Sequence, residues 1–480
     1  IDGASTSIDL SSGNLIYASQ SANTTVSFAN SENGNVYFVR VKDANDTART
    51  ITWPDRIKWD GGSAPTLISD SVQNDAQIFL LVTRDMGVTW YGKEVFKLDF
   101  IQGYPGFAWG GNSYGMFGDN NQDNYSSPKQ IGGDTDWNAI SQGVPQNGSH
   151  YLFVKSDGKL YGCGRNNATG KLGLNDKINR SSPHQIGTDT TWSGNLTGGT
   201  ENSMAVKTDG SLWMWGNNEY GMMGTNDLAR RSSPHQIGTD TTWSTAHNSM
   251  GTTNKITIAV KTDGTLWSWG GEDYNGRLGQ NLPFNTSARS SPTQIGTDTT
   301  WSTACVGNAC IALKTNGTLW AWGYNADSTG QLGLNDQTNR SSPHQIGTDT
   351  TWSSFSGSGS TRFRAAIKTN GTLWTWGRNN YGQLGVGDSG NGSSATARSS
   401  PHQIGTDTTW WQVRVGSNFC AAIKTDGTLW AWGRGVSGEL GQNADTGRSS
   451  PTQIGTDTNW KTTAYGFGQS VTSLFVLRSS

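Results

Sequence analysis

Two short signatures recur seven times each along this 480-residue chain, and this repetition limits its fold more than any other feature. Ser-Ser-Pro ends at Pro128, Pro183, Pro234, Pro292, Pro343, Pro401 and Pro451. A variant of Gln-Ile-Gly-Thr-Asp-Thr-Thr-Trp follows each, ending at Trp137, Trp192, Trp243, Trp301, Trp352, Trp410 and Trp460. The second signature reads Lys-Thr-Asp-Gly-Thr-Leu-Trp-Ala-Trp-Gly at Lys424 to Gly433. Within a unit, residues 421–424 read as a strand, Thr-Asp-Gly as a hairpin turn and residues 428–432 as the partner strand. A Gly-rich loop and a Pro-Thr/His-Gln-Ile strand complete it. No stretch has a sustained helical period. Roughly four strands per ~50 residues predict a β-propeller of seven blades.

The ends of the array favour closure. The first unit has Gly106-Phe-Ala-Trp-Gly110 but lacks the hairpin in front of it. The chain ends Leu474-Phe-Val-Leu-Arg-Ser-Ser480, which lines up with Cys420-Ala-Ala-Ile-Lys-Thr-Asp426. The last strand is therefore expected to pair with the strand around Phe107 and complete a split blade, leaving no exposed sheet edge. Residues 101–480 form the expected propeller domain, and residues 1–100 a separate one.

Composition excludes several classes. Thirty-five basic against 37 acidic residues give a net charge of −2, so no global field draws the chain to nucleic acid or to an anionic bilayer. No apolar run approaches the ~18 residues of a membrane helix. Cys163, Cys305, Cys310 and Cys420 carry neither a CxxC pair nor zinc spacing. The chain begins at Ile1 without methionine, so upstream residues are expected to have been removed or omitted.

The pattern Leu-Trp-x-Trp-Gly-x-Asn-x-x-Gly-x-Leu-Gly, seen at Leu373 to Gly385, resembles the regulator of chromosome condensation repeat family. The resemblance covers about residues 101–480 and implies four-stranded blades. The family includes an exchange factor for a small GTPase, ubiquitin-ligase modules and a plant ultraviolet-B photoreceptor. The photoreceptor's Gly-Trp-Arg-His-Thr signature is absent here, and fold alone does not choose among these roles.

Residues 1–100 lack the repeat. Strand-like runs separated by Asn/Asp/Gly turns predict a β-sandwich. The run from Arg49 to Leu67, with Gly87-Val-Thr-Trp-Tyr-Gly92, resembles a module of bacteriophage tail-fibre and other virion appendage proteins. From it follow several expectations: a non-enzymatic virion protein, a location on the particle surface, other virion proteins as partners, and a homotrimer by analogy with fibres. The propeller loops would bind a host-surface polysaccharide or protein. Two alternatives are a decoration protein without receptor and a cellular propeller adaptor or GTPase regulator.

No catalytic, cofactor or metal site is expected. His184, His235, His344 and His402 occupy one repeat position and would be spread around the ring. The arginines before Ser-Ser-Pro and the Asp of Gly-Thr-Asp suggest a ladder of ion pairs between blades. No Gly-x-Ser-x-Gly elbow, phosphate-binding loop or His-Glu-x-x-His occurs. What varies is loop length, and variable loops on a fixed scaffold suit recognition. The unusual loops Ser244–Lys255, Glu272–Arg289, Ser353–Arg364 and Asp388–Arg398 offer His247, Asn248, Asn254, Glu272, Asp273, Phe284, Arg362, Phe363, Arg364 and Asn391 as ligand contacts.

Overall fold

The computed structural model describes residues 103–478 apart from 142–149, 249–254, 272–274, 285–287, 327–328, 358–360, 394–395, 461–466 and 470–472, and only the strands of residues 1–102. The chain divides into two compact units, Ile1–Gln102 and Gly103–Ser480. In the first unit, Ser5–Asp9, Thr24–Ala29 and Ile51–Thr52 form a three-stranded sheet. Leu15–Gln20, Val36–Asp43, Ala76–Thr83, Trp90–Leu98 and Ile57–Trp59 form a five-stranded one. The expected sandwich packing rests on side chains outside the described residues.

The second unit is a seven-bladed propeller, with seven four-stranded antiparallel sheets in chain order. One blade shows the design. Its strands are Trp192–Gly198, Asn202–Lys207, Leu212–Gly216 and Arg231–Gln236. The first strands of adjacent blades touch one another and so surround the axis, whereas the fourth strands are half-exposed at the rim. The turn between the second and third strands is tight because Gly210 takes φ 81°. A Cβ there would also meet the Thr241 carbonyl oxygen at 2.0 Å, so the turn needs glycine twice over.

The expected closure is present. Ser473–Leu477 pairs antiparallel with Gly106–Gly110, placing Leu474 opposite Trp109 and Val476 opposite Phe107. Phe467–Gln469 and Tyr125–Gln130 complete that blade as its first and fourth strands. Both ends of the repeat array thus share one sheet.

The core lies between blades rather than within them. Phe363, Ile367, Leu373 and Leu384 of one blade pack with Trp410, Val413, Val415 and Trp432 of the next. Alternation sends the third strand's side chains into two junctions: Leu373 packs into one inter-blade core, while Trp374 and Trp376 both face the other, Trp374 partly exposed and Trp376 fully buried. The deeper tryptophan also latches the blades together. Trp215 Nε1 donates to the Lys171 carbonyl oxygen at 2.7 Å, and Trp322 Nε1 to that of Arg277 at 2.9 Å. Trp269, Trp376, Trp432 and Trp109 make the same bond to the preceding blade. The remaining blade has Cys163 in this position, whose Sγ donates to the Met116 carbonyl oxygen at 3.1 Å.

A second repeated device explains the Lys and Asp positions. Lys424 Nζ lies 4.0 Å from the Trp430 ring centroid and 4.7 Å from that of Trp410, and pairs with Asp407 at 2.5 Å. Lys207, Lys261, Lys314 and Lys368 repeat this with Asp189, Asp240, Asp298 and Asp349. The expected arginine ladder is therefore corrected. Arg180 pairs with Asp176 of its own loop at 2.5 Å, four residues back, and Arg231 and Arg340 do likewise. The Asp of Gly-Thr-Asp is already taken by lysine, which stands beside it on the second strand.

This clamp predicts an acid response. Burial alone would raise the carboxyls of Asp240 and Asp407, but hydrogen bonds from lysine and threonine hold both at about 2. A depressed folded-state pKa stabilises the fold fully above about pH 4, and that stabilisation fades as the pH falls towards 2. With solvent screening, each clamp should contribute about 1 kcal/mol. Urea midpoints measured from pH 5 to pH 2 should fall through this window, and Lys424→Met should flatten the fall. Parallel curves for the two proteins would refute the clamp.

Candidate functional site

Strand parity gives the propeller two unlike faces. In every blade the connections from first to second strand and from third to fourth emerge at one end. The Thr-Asp/Asn-Gly turns and the Gly-Thr-Asp links between blades emerge at the other. All the length variation therefore lies on one face, and the opposite face is nearly invariant.

The expected contact residues are distributed unevenly. His247 and Asn248 end a first strand, paired with Ile258 and Thr257. Their side chains, and all of Asn254, Glu272 and Asp273, lie outside the described residues. Phe284 is exposed and Asn391 is exposed with φ 45°. Arg362 is half-buried. Phe363 and Arg364 require correction, because they belong to the strand Phe363–Lys368 and are buried. Phe363 enters the core between blades. Arg364 donates to the carbonyl oxygens of Thr361 and Phe363, both at 2.8 Å, and to that of Ala309 in the neighbouring blade at 2.6 Å. Neither is a surface contact.

Six of the seven exposed large hydrophobic residues among those described sit in third-to-fourth-strand connections on the variable face: Tyr114, Ile178, Leu228, Phe284, Tyr381 and Val436. Tyrosine–cation pairs bridge neighbouring blades there. The Arg165 guanidinium lies 5.0 Å from the Tyr114 ring centroid, Lys255 Nζ 3.2 Å from that of Tyr220, and Arg434 5.9 Å from that of Tyr381. Beside the first of these is a cavity of about 470 Å³ containing Lys171 and Glu201. Burial, reinforced by Arg165, lowers the Lys171 ammonium to about 7, and its Nζ donates to the Thr200 carbonyl oxygen at 2.7 Å. Loop length does not single out these tyrosines. Their signal is the Tyr-Gly pair that recurs at 114–115, 220–221 and 381–382 in the loop after Trp-Gly or its equivalent.

The four repeat histidines stand on the outer strands of four blades and do not converge. His184 and His344 bond through Nδ1 to the carbonyl oxygen two residues earlier, at 2.9 and 2.8 Å. Among the described residues no three His, Cys, Asp or Glu side chains gather as a metal site. All four cysteines are buried thiols.

Comparison with known proteins accords with this architecture. The regulator of chromosome condensation (RCC1) repeat matches residues 209–247, 370–423 and 426–472, and a second model of that repeat matches 412–439. Parts of the propeller thus match the RCC1 repeat. Over 293 residues the chain is 27% identical to the ultraviolet-B receptor UVR8 of Arabidopsis thaliana, covering 59% of this chain and 63% of that protein. It is also 27% identical over 310 residues to the RCC1 domain-containing mitochondrial protein RUG3 of the same plant, covering 62% and 64%. The chain thus spans just under two thirds of the length of these curated relatives. Yeast RCC1 (Prp20), solved bound to Kap60, superposes with a TM-score of 0.66 at 17% identity, covering 79% of this chain and 90% of that one. Human WBSCR16 gives 0.63 at 16%, covering 79% and 100%.

These relatives correct the expected location. The virion setting rested on a short N-terminal resemblance, whereas the RCC1-repeat similarity runs for about three hundred residues and leads to proteins of cells.

Proposed function

We propose that this protein is a cellular adaptor that holds a protein partner on the variable face of its RCC1-repeat propeller, by contact rather than by bond-making chemistry. The observation that carries this reading is the set of tyrosine–cation pairs at blade junctions, with exposed apolar side chains around them. Tyrosine and arginine are the side chains most enriched where protein interfaces concentrate their binding energy. The structural neighbour Prp20p of Saccharomyces cerevisiae has been described with its binding properties to Gsp1p and histones, which supports a protein as the partner class.

The test is affinity capture from a cell extract, followed by titration of each captured protein against purified variants. Tyr381→Ser combined with Arg434→Ser should weaken the interaction at least about tenfold, the usual cost of losing an interface anchor. His344→Ser on the outer rim should leave it unchanged. Equal affinity for both variants and the parent would remove the variable face from consideration.

A further inference from the structure

The two faces of the propeller differ in charge as well as in loop length. On the turn face the lysines that end the second strands are matched by aspartates. Asp209, Asp263 and Asp426 stand beside those pairs as further carboxylates, each accepting from a hydroxyl of Ser211, Thr265 or Thr428. That face is therefore acidic, and the net charge of −2 conceals a basic region on the other side.

The basic region lies in two adjacent blades, residues 352–453, where arginine is the only basic residue type towards the variable face. Arg362, Arg378 and Arg434 are half-buried and Arg448 is exposed. They lie together. The Arg378 backbone N–H donates to the Arg362 carbonyl oxygen at 2.8 Å. The Arg434 guanidinium reaches across the blade junction to 5.9 Å from the ring centroid of Tyr381, in the loop that follows Arg378. Gly382 packs on the strand that begins at Arg448, since a Cβ there would meet Ser449 Cα at 2.7 Å.

Carboxylates are few in this sector. Asp388 pairs with Arg398 at 2.7 Å. Glu439 is buried and accepts from the Ser437 backbone N–H at 2.6 Å. Asp445 is exposed. Every charged residue of these two blades is among the described residues, so the excess of arginine is complete as it stands. Apolar surface is interspersed with it: Tyr381 is 40% and Val436 55% exposed. The neighbouring closing blade presents Asp119 and Asp123 instead. A short, bounded patch of guanidiniums with apolar surface among them fits the carboxylate side chains of a protein segment, which arginine binds through paired N–H bonds. A nucleic-acid backbone is tracked by a longer basic groove.

We propose, resting on the variable face as the partner surface, that this sector docks an acidic segment of a partner protein. Its carboxylates would meet Arg378, Arg434 and Arg448, and an apolar side chain would lie against Tyr381 and Val436.

Fluorescence anisotropy of the purified chain with labelled probes tests it. The probes are a dodecapeptide of Glu-Glu-Leu repeats, its Gln-Gln-Leu counterpart and a single-stranded DNA dodecamer. The acidic peptide should bind at least about tenfold tighter than the amide one, and its affinity should fall about threefold or more between about 50 and about 300 mM salt. Arg378→Gln combined with Arg448→Gln should weaken it at least about tenfold. Lys177→Gln combined with Arg289→Gln makes the same charge change at exposed positions on other blades of this face, and should alter binding less than about twofold. If the first variant does not fold, Arg448→Gln alone should weaken binding about threefold or more. The proposal is overturned if the acidic peptide does not bind, if the amide peptide or the DNA binds as tightly, or if the two double variants weaken binding equally. Should a captured partner still be lost on Tyr381→Ser with Arg434→Ser, such a result would reject the acidic segment and retain the variable face as the partner surface.

Discussion

Removal of residues 473–480 should leave the propeller unable to fold. Ser473–Leu477 is not a peripheral tail but the second strand of the closing blade, flanked by Gly106–Gly110 and Phe467–Gln469. Leu474, Phe475, Val476 and Leu477 are all within 1% of full burial. At about 1.5–3 kcal/mol for each large apolar side chain, their loss removes about 6–12 kcal/mol. That is comparable with the whole stability of a typical domain. The deletion would also open two sheet edges in place of a closed ring. Far-UV circular dichroism and size-exclusion chromatography of the truncated chain should show loss of the cooperative transition and aggregation. A synthetic peptide of residues 473–480 should restore part of the fold. A monomeric truncation that melts as the parent does would mean the ring is held shut by something else.

The second large effect is expected at the latch tryptophans. Trp376 is fully buried, and its Nε1 reaches the Gln331 carbonyl oxygen at 3.2 Å across the blade junction. Trp376→Ala should cost about 3–5 kcal/mol, the usual range for deleting a large buried aromatic residue. Gly333→Ala strikes the same contact from the other side. Its φ is 74°, and a Cβ there would lie 2.7 Å from Trp376 Nε1. Trp411→Ala, at an exposed indole, should change stability by no more than about 0.5 kcal/mol. Chemical denaturation of the three variants separates the cases. Equal losses at Trp376 and Trp411 would mean that burial between blades is not what stabilises the array.

How much could be read from residues alone depends on distance along the chain. The seven units and their four strands are visible because strand alternation and turn glycines act over a few residues. The split blade was also legible, since Leu474 to Arg478 repeats the apolar spacing of Cys420 to Lys424. Arg478 even takes the lysine's role, pairing with Asp457 at 2.7 Å and lying over Phe107.

Pairing between side chains was less legible. Arg180 has two candidate acids, and only coordinates show that the nearer one in sequence, Asp176, is its partner. Arg364 reads as a loop residue in the sequence because an arginine at an inward position hides the strand's alternation. The cavity of about 850 Å³ among the first strands was invisible for a different reason. Its lining comes mostly from two adjacent blades, with one or two residues from each of four others, and no local pattern marks them as neighbours. The N-terminal resemblance misled on location, because a short similarity in strand-and-turn sequence says little about where a protein works.

The latches also have a direction. Each buried tryptophan reaches back to the blade before it, and Cys163 and Trp109 carry the same bond across the split blade, so the series returns to its start. A series without a first member has no end from which to fray. Opening any single blade strips one neighbour of its donor and the other of its acceptor, so local excursions are costly everywhere. Slow amide exchange should therefore be nearly uniform among the blades, and the lifetime of the folded ring in a protease-rich setting should follow the rate of whole-ring opening.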